Sequence, residues 1–204
     1  MAIQPIFIVS DNFAVLPEFC AGAKELAGSV TAIIFGDEAA AKEHASCGAE
    51  KIVYCPVSEE GAPEDYASAI ADLVKKQPQA VVMVNNSIRG RCLAGKLSVH
   101  LDTAVLGSVN EISAENGTLC FRRVVYGGTA QRKETFAAAY GVITISAGIF
   151  EAPAEASGTA EVLPIAGKPD APIRRISRNE KKEGGVNLVA AKRIVDVGRG
   201  LAAE

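Results

Sequence analysis

Residues 80–101 have the sequence AVVMVNNSIRGRCLAGKLSVHL, which places a strand directly before a helix. The apolar run over residues 80–84 has the length and the content of a buried strand. Ser87 is placed to cap the helix that follows. Three leucines recur every four residues in that helix, as on one buried face: Leu93, Leu97 and Leu101. A strand joined to a helix in this way is the repeating unit of an α/β sheet.

Two glycines, Gly90 and Gly95, lie inside this predicted helix. Each lowers the intrinsic stability of the helix by about 1 kcal/mol relative to alanine. A glycine lets the backbone come closer to its neighbours than any other residue does. We therefore expect the helix backbone to approach a neighbouring segment closely at these positions.

The same alternation of strand and helix fills the chain upstream of this unit. Apolar runs over residues 3–9, 30–35 and 51–55 predict three further strands. The predicted helices run from Pro17 to Gly28, from Asp37 to about Cys47 and over residues 63–77. Strands that alternate with helices pair in parallel through right-handed crossovers. The first hundred residues therefore predict an α/β fold, a doubly wound and mainly parallel sheet with helices on both faces.

The pattern changes after residue 102, where strands follow one another with short connections that contain glycine. Strand-like segments cover residues 103–113, 118–126, 133–139 and 141–146, and Asn116-Gly117 is a hairpin turn signal. We interpret them as an antiparallel extension of the same sheet. The stretch over residues 151–167 is rich in Pro, Ala and Gly, and residues 173–177 are a candidate for one more strand.

The last part of the chain has the pattern of a linker and a new strand. Residues 179–185 are charged and end in Gly-Gly, and residues 192–197 predict a new strand before Gly198-Arg199-Gly200. A lone strand cannot bury itself, so we expect it to belong to a second domain. The predicted organisation is an amino-terminal α/β domain over residues 1–183 and the start of a truncated second domain over residues 184–204.

Charge and hydropathy exclude two classes of protein. The net charge of −3 divides into −7 over residues 1–167, with 12 basic and 19 acidic residues, and +4 over residues 168–204, with 9 and 5. The negative charge of residues 1–167 argues against nucleic-acid binding. The sequence contains no run of about 18 apolar residues, so it predicts no membrane span. Its first residues lack the basic region of a signal peptide.

The residue types that support metal or nucleophile chemistry do not form motifs in this sequence. The five cysteines include no C-x-x-C pair, which predicts free thiols in a reducing cytoplasm. The two histidines are far apart, which disfavours a zinc site. We expect Ser87 to act as a helix cap rather than as a nucleophile, and we expect a simple turn at Asp11 and Asn12. Arg122 and Arg123 should point to opposite sides of their strand.

Several segments, in order along the chain, resemble the electron-transfer flavoprotein alpha subunit family. They are Gly90-Arg91-Cys92-Leu93-Ala94 after the fourth strand, residues 121–130 (FRRVVYGGTA), residues 142–150, and residues 186–201, which end in Gly-Arg-Gly-Leu. The family usually has an acidic residue at the position of Cys92 and commonly has Asn at the position of Thr129.

The resemblance implies an electron carrier and not an enzyme. Members of this family are heterodimers, and their alpha subunit has an amino-terminal α/β domain, similar to adenine nucleotide alpha-hydrolases, before a domain that binds FAD. They carry electrons from dehydrogenases, often acyl-CoA dehydrogenases, to a quinone oxidoreductase or a ferredoxin-linked acceptor. The amino-terminal domain mainly docks the beta subunit, which holds AMP. The resemblance thus implies a cytoplasmic beta-subunit-docking domain with no membrane span.

The resemblance places one FAD contact in this sequence, at Arg199 between Gly198 and Gly200. Flanking glycines let a backbone approach a phosphate, a helix start offers N–H donors, and the guanidinium adds a fixed positive charge. The other flavin contacts of the family lie in sequence that this chain does not contain. We therefore expect this chain to bind FAD weakly or not at all.

Two interpretations stay open beside this one. A free-standing nucleotide-binding α/β domain of stress-protein type would need a glycine-rich phosphate loop, and no such spacing is present. A small hydrolase would need a nucleophile and base pair, which the sequence does not supply. A basic cluster near the carboxyl end is either a solvated edge or a docking site for an acidic partner: Arg174, Arg175, Arg178, Lys181 and Lys182.

Overall fold

The computed structural model describes residues 4–153, 158–170, 172–179, 188, 191–198 and 200. Within these residues the strands are β1 (Ile6–Ser10), β2 (Val30–Phe35), β3 (Lys51–Cys55), β4 (Ala80–Asn85), β5 (Val105–Val109), β6 (Glu111–Glu115), β7 (Thr118–Val125), β8 (Ala130–Glu134), β9 (Tyr140–Ile145) and β10 (Glu161–Pro164). The α-helices are α1 (Leu16–Leu26), α2 (Glu38–Glu43), α3 (Ala67–Val74) and α4 (Ile88–His100). None of the described helices has the length and apolar content needed to cross a lipid bilayer.

Seven of the strands form one parallel sheet in the order β10-β3-β2-β1-β4-β9-β5. Strand β1 lies near its centre, where Ile8 is in register with Ala32 of β2 and with Met83 of β4. The chain builds outward from β1 through β2 to β3 and then crosses back to add β4 on the other side. The strand order therefore reverses between β1 and β4, which is where ligands bind in many doubly wound sheets.

Side chains that alternate along the strands divide the core between the two faces of the sheet. On β1, Ile6 and Ile8 pack in one apolar cluster, whereas Phe7 and Val9 pack in the other. Helices α1 and α2 cover the first face, and α3 and α4 cover the second. The predicted doubly wound α/β sheet, with helices on both faces, is confirmed.

The antiparallel part of the fold differs from its predicted arrangement. Strands β6, β7 and β8 form a separate three-stranded sheet, and β5 and β9 join the main sheet in parallel. Strand β9 is almost wholly buried between β4 and β5, as a central parallel strand should be. The small sheet occupies the crossover from β5 to β9, where a helix would normally lie, so it replaces that helix rather than extending the sheet.

Helix boundaries also differ from the predictions on the upstream half. Helix α2 ends at Glu43, before the predicted end near Cys47. The segment predicted as one helix over residues 63–77 begins with a 3-10 turn, Pro63–Tyr66, and continues as α3. The Tyr66 hydroxyl donates a hydrogen bond to the Pro56 carbonyl at 2.6 Å, which anchors that turn to the end of β3.

The carboxyl-terminal third contains one strand that the sequence did not predict and lacks two that it did. Strand β10 pairs in parallel with β3, inside the stretch that is rich in Pro, Ala and Gly and was assigned no strand. Residues 173–177 and 192–197 carry no strand. Ile194, Val195 and Val197 are exposed, so this predicted strand has no pairing partner within the described residues. The division into domains at residue 183 stays a prediction.

The small sheet is fastened to the main core by Phe121 of β7, which is 2% exposed and packs edge-on against the ring of Phe136. We expect Phe121→Ala to lower the free energy of unfolding by about 3–5 kcal/mol, because it removes a fully buried aromatic side chain. Urea denaturation measures this change. Val124→Ala is the matched control, since Val124 lies on the outer face of the same strand, and it should change stability by less than about 0.5 kcal/mol. If the two substitutions lowered the free energy of unfolding by the same amount, the small sheet would not share the apolar core.

Candidate functional site

The crevice at the switch point between β1 and β4 is filled by a hydrogen-bonded group of the chain's own side chains. Asp11 follows β1, Asn85 ends β4, and Ser87 precedes α4. The Ser87 hydroxyl donates to Asp11 Oδ2 at 2.8 Å, and the Asn85 side-chain amide donates to Asp11 Oδ1 at 3.2 Å. The two strand ends are therefore tied together by one carboxylate.

This carboxylate lies at the amino end of α4, where the helix offers free N–H groups and a partial positive charge. Ser87 is the amino-terminal cap, and its Oγ accepts a hydrogen bond from the Gly90 amide at 2.9 Å. The predicted capping role of Ser87 is confirmed. A phosphate would normally bind in such a position. Here Asp11 supplies the negative charge instead and would repel a phosphate.

Gly90 is placed where the turn after β4 folds back on the helix. A Cβ atom at this position would lie 1.8 Å from the Asn85 carbonyl oxygen, so no residue with a side chain fits without a backbone shift. At Gly95 the same atom would meet nothing within 4 Å. The expected close approach is therefore found at Gly90 alone of the two glycines.

The cavity that remains at this switch point is small. It is lined by Val9, Phe35, Arg89, Leu93 and the Asp11 and Gly90 segments, and no water-sized space remains inside it. Pockets that hold drug-sized ligands or cofactors enclose roughly 300–1,000 Å³. The switch point thus lacks the space that a nucleotide would need.

A second polar group joins the carboxyl ends of β4, β5 and β9. The Asn86 side-chain amide donates to the hydroxyls of Ser108 at 3.3 Å and Ser146 at 3.2 Å. The Ser108 amide donates to Thr144 Oγ1 at 2.8 Å. These hydrogen bonds satisfy the polar groups of the rim internally, which favours a structural role.

Two of the three described arginines of the basic cluster near the carboxyl end contact the chain itself. The Arg175 guanidinium donates to the backbone carbonyls of Glu59 at 3.1 Å and Gly61 at 3.3 Å. Arg174 lies 3.6 Å from the Glu60 carboxylate. Lys181 and Lys182 lie outside the described residues. This half of the cluster therefore holds residues 172–179 against the loop after β3.

The small antiparallel sheet carries a ladder of ion pairs between its strands. Arg122 pairs with its register partner Glu111 at 3.0 Å, and Arg123 pairs with Glu134 at 2.6 Å, so the two arginines face opposite sides as predicted. The hydrogen bond from Arg123 lowers the pKa of Glu134, whose carboxylate stays ionised at neutral pH. Most charges on this sheet are thus already paired within the chain.

The turn between β7 and β8 displays a strained aromatic residue. Tyr126 has φ 53° and is 80% exposed, and it is followed by Gly127 and Gly128, also at positive φ. All three residues of the turn therefore have positive φ, the tyrosine included. A bulky residue at positive φ costs about 1–3 kcal/mol and is often found where a surface has a binding role. Tyr126 is therefore a candidate contact residue.

The structure places the predicted FAD-contacting residues at the surface as far as it describes them. Arg199 lies outside the described residues. Gly198 and Gly200 are exposed, and a Cβ atom at either would meet nothing within 4 Å. Elsewhere in the described part of the chain, no group of three or more His, Cys, Asp or Glu residues could hold a metal ion.

Sequence reasoning missed two features of these sites. Asp11 and Ser87 are 76 positions apart, and only the meeting of two strand ends in the fold brings them together. Their signal in the sequence is a polar residue directly after each apolar strand. The exposure of Tyr126 had no such signal, since the sequence marks only the glycines of its turn.

Comparison with known proteins gives a family match over most of this domain. Residues 16–168 match the electron transfer flavoprotein domain family. Proteins named FixB are similar to nearly the whole chain: one from Escherichia coli O157:H7 is 32% identical over 207 residues, and one from Salmonella typhimurium is 30% identical over 203. Each alignment covers 98% of this chain and 64% of the relative, so the chain spans less than two thirds of these proteins.

The two glycines of α4 give a direct test of the switch-point geometry. Gly90→Ala should lower the free energy of unfolding by about 2–4 kcal/mol, because the added methyl group displaces the Asn85 carbonyl and disturbs the cap. Gly95→Ala, on the same helix in open space, should raise it by roughly 0.5–1 kcal/mol. Urea denaturation of the two variants measures both effects. Stabilisation by both substitutions would contradict the close approach.

Proposed function

The chain belongs to the electron transfer flavoprotein family, and from that premise we propose that it forms the amino-terminal α/β domain of an alpha-type subunit. The observation that carries this proposal is the family match over residues 16–168, which takes in most of the parallel sheet and the whole small sheet. The similarity to FixB proteins over 98% of the chain supports the same assignment. In this role the domain docks a beta-type subunit and does not itself catalyse a reaction.

The proposed whole protein carries electrons through FAD. Its donor is a dehydrogenase, of which acyl-CoA dehydrogenases are one class, and its acceptor is a quinone oxidoreductase or a ferredoxin-linked protein. We place the docking domain at residues 1–183 and the linker and first strand of the FAD-binding domain at residues 184–204. Five unpaired cysteines favour a cytoplasmic location.

The filled switch point favours an assembly role over nucleotide binding. Asp11 occupies the anion position at α4, and the remaining cavity has no room for even a water molecule. A stress-protein-like nucleotide binder, the alternative function, needs that crevice open for phosphates. In this chain the crevice is instead closed by hydrogen bonds among its own side chains. The proposed function therefore depends on the outer surfaces.

The surface that best suits a docking role is the small antiparallel sheet. Within the described residues β6 and β8 each pair on one side only, so each offers a row of free backbone N–H and C=O groups. Tyr126 at its turn and Val124 on its outer face are exposed apolar side chains. Exposed tyrosines are frequent anchors in protein interfaces. We propose that the beta-type subunit binds here.

Tyr126 tests this surface. We expect Tyr126→Ala to weaken binding of the 204-residue chain to a separately purified beta-type subunit by roughly 10–30-fold, because an interface anchor contributes about 2 kcal/mol or more. Isothermal titration calorimetry measures the dissociation constant.

The matched control is Val99→Ala, an exposed apolar residue of α4 on the other face of the main sheet. It should leave the dissociation constant unchanged within about twofold. If the unsubstituted chain does not bind the beta-type subunit, the docking role is wrong. If it binds and Tyr126→Ala is neutral, only the choice of surface is wrong.

Arg199 tests the assignment of the flavin contact. The purified 204-residue chain should show no flavin absorbance and no heat on titration with FAD, AMP or ATP. In a longer chain that includes the FAD-binding domain, Arg199→Ala should weaken FAD binding by roughly 10–100-fold, because it removes a charge-assisted hydrogen bond to the ligand.

Arg178→Ala, in the exposed segment before the linker, is the control for a general loss of positive charge and should leave FAD affinity unchanged. Tight binding of AMP or ATP to the 204-residue chain would support the nucleotide-binding alternative. A flavin band in the same preparation would contradict the placement of the FAD site outside this domain.

A further inference from the structure

Two buried thiols face each other beneath α1. The Sγ atoms of Cys20, on α1, and Cys47, in the turn after α2, are 3.7 Å apart and hydrogen bonded. Cys20 is 0% exposed and Cys47 is 5% exposed. The remaining cysteines, Cys55, Cys92 and Cys120, make no such sulfur–sulfur contact in the described structure, in which all five cysteines are free.

We propose that Cys20 and Cys47 form a reversible redox pair, which hydrogen peroxide converts to an intramolecular disulfide. This site goes beyond the electron-carrier role and does not depend on it. The sulfurs must close by roughly 1.7 Å to reach the about 2.05 Å of a disulfide bond.

The backbone around Cys47 allows this movement. Cys47 lies in a turn rather than in a helix or strand, held by a hydrogen bond from its amide to the His44 carbonyl at 3.0 Å. Gly48 follows at φ 99°, a conformation that gives the turn a glycine joint. Cys20 is fixed in the middle of α1, so the turn is the part that moves toward the helix.

The two thiols differ in their pKa, and a redox pair requires such a difference. The hydrogen bond from the Cys20 thiol lowers the pKa of Cys47 to about 7, although burial acts to raise it. Backbone N–H groups at Ala49 and Cys47 and, least of all, the Lys24 ammonium also lower it. The same hydrogen bond raises the pKa of Cys20. Burial without a sulfur partner raises the pKa of Cys55 to about 12. Cys47 is thus the thiolate that reacts first, since only the thiolate is nucleophilic.

The reaction balances with one molecule of peroxide. The Cys47 thiolate attacks one peroxide oxygen, the O–O bond breaks, and hydroxide leaves as water, which gives a sulfenic acid. The Cys20 sulfur then attacks Cys47 Sγ, the S–O bond breaks, and the second oxygen leaves as water with the remaining proton. Two thiols are oxidised to one disulfide, and one peroxide is reduced to two waters.

The bond would restrain the edge of the main sheet. The turn that carries Cys47 also holds β10, because the Ala160 amide donates to the Ala45 carbonyl at 2.8 Å and the Glu161 amide donates to the Glu50 carbonyl at 3.0 Å. Tying Cys47 to α1 closes a loop of the chain and fixes this turn. The oxidised protein should therefore have a higher Tm, by on the order of 5–10 °C.

The test uses the 204-residue chain with Cys92→Ser, which removes the one exposed thiol and with it cross-links between molecules. Four of the five cysteines then remain. After treatment with hydrogen peroxide, thiol titration in denaturant should fall from four to two and return to four with dithiothreitol. Peptide mass spectrometry without reduction should find Cys20 linked to Cys47, and the Tm should rise.

Cys55→Ser is the matched control, a buried cysteine that should leave both the link and the thiol loss unchanged. Cys47→Ser should abolish the link. The mass measurement on the parent chain needs no substitution at either sulfur, so it holds even where Cys47→Ser fails to fold. Peroxide treatment that leaves four thiols, that yields only sulfinic acids, or that links other cysteines would overturn the proposal. If the disulfide forms but the Tm is unchanged, the proposed restraint of the turn is wrong.

Discussion

The carboxylate of Asp11 at the amino end of α4 is the interaction on which the organisation of this protein depends. It accepts hydrogen bonds from Ser87 and Asn85, it complements the helix dipole, and it joins the ends of β1 and β4, where the chain crosses back over the sheet. A doubly wound sheet usually keeps that crevice for a ligand. Because the chain fills it with its own anion, the fold retains its stability but loses its ordinary binding site. The docking function that we propose therefore depends on the outer surfaces.

The small antiparallel sheet is the outer surface proposed for docking, and its position follows from how β9 is inserted in the main sheet. Strand β9 is buried between β4 and β5, and the connection that reaches it contains β6, β7 and β8 instead of a crossover helix. Phe121 anchors this connection in the same apolar cluster as α1, while the outer face keeps its charges paired. A rigid platform with satisfied charges and an exposed tyrosine at its turn is suited to specific docking.

The sequence predicted what local patterns determine and failed where distant segments decide. Apolar runs and caps located β2, β3 and α4 correctly, because each depends on residues close in the chain. The same reasoning located β9 but gave it antiparallel pairing, since a buried apolar run does not indicate whether its neighbours are parallel or antiparallel. It could not join Asp11 to Ser87, because that hydrogen bond exists only after β1 and β4 align. The segment over residues 192–197 has strand composition but no strand, because composition cannot supply a pairing partner.

The proposed thiol pair and the proposed docking surface lie on the same face of the main sheet. Cys20, Cys47 and Phe121 belong to one apolar cluster, so a change at α1 reaches the small sheet only through close-packed side chains. Coupling between such sites requires an element with two discrete arrangements. Within the described structure the turn that carries Cys47 contacts β10 at one edge of the sheet, whereas the small sheet adjoins β5 at the other. Oxidation should therefore restrain the β10 edge and leave docking affinity unchanged, which makes the two proposals physically separate.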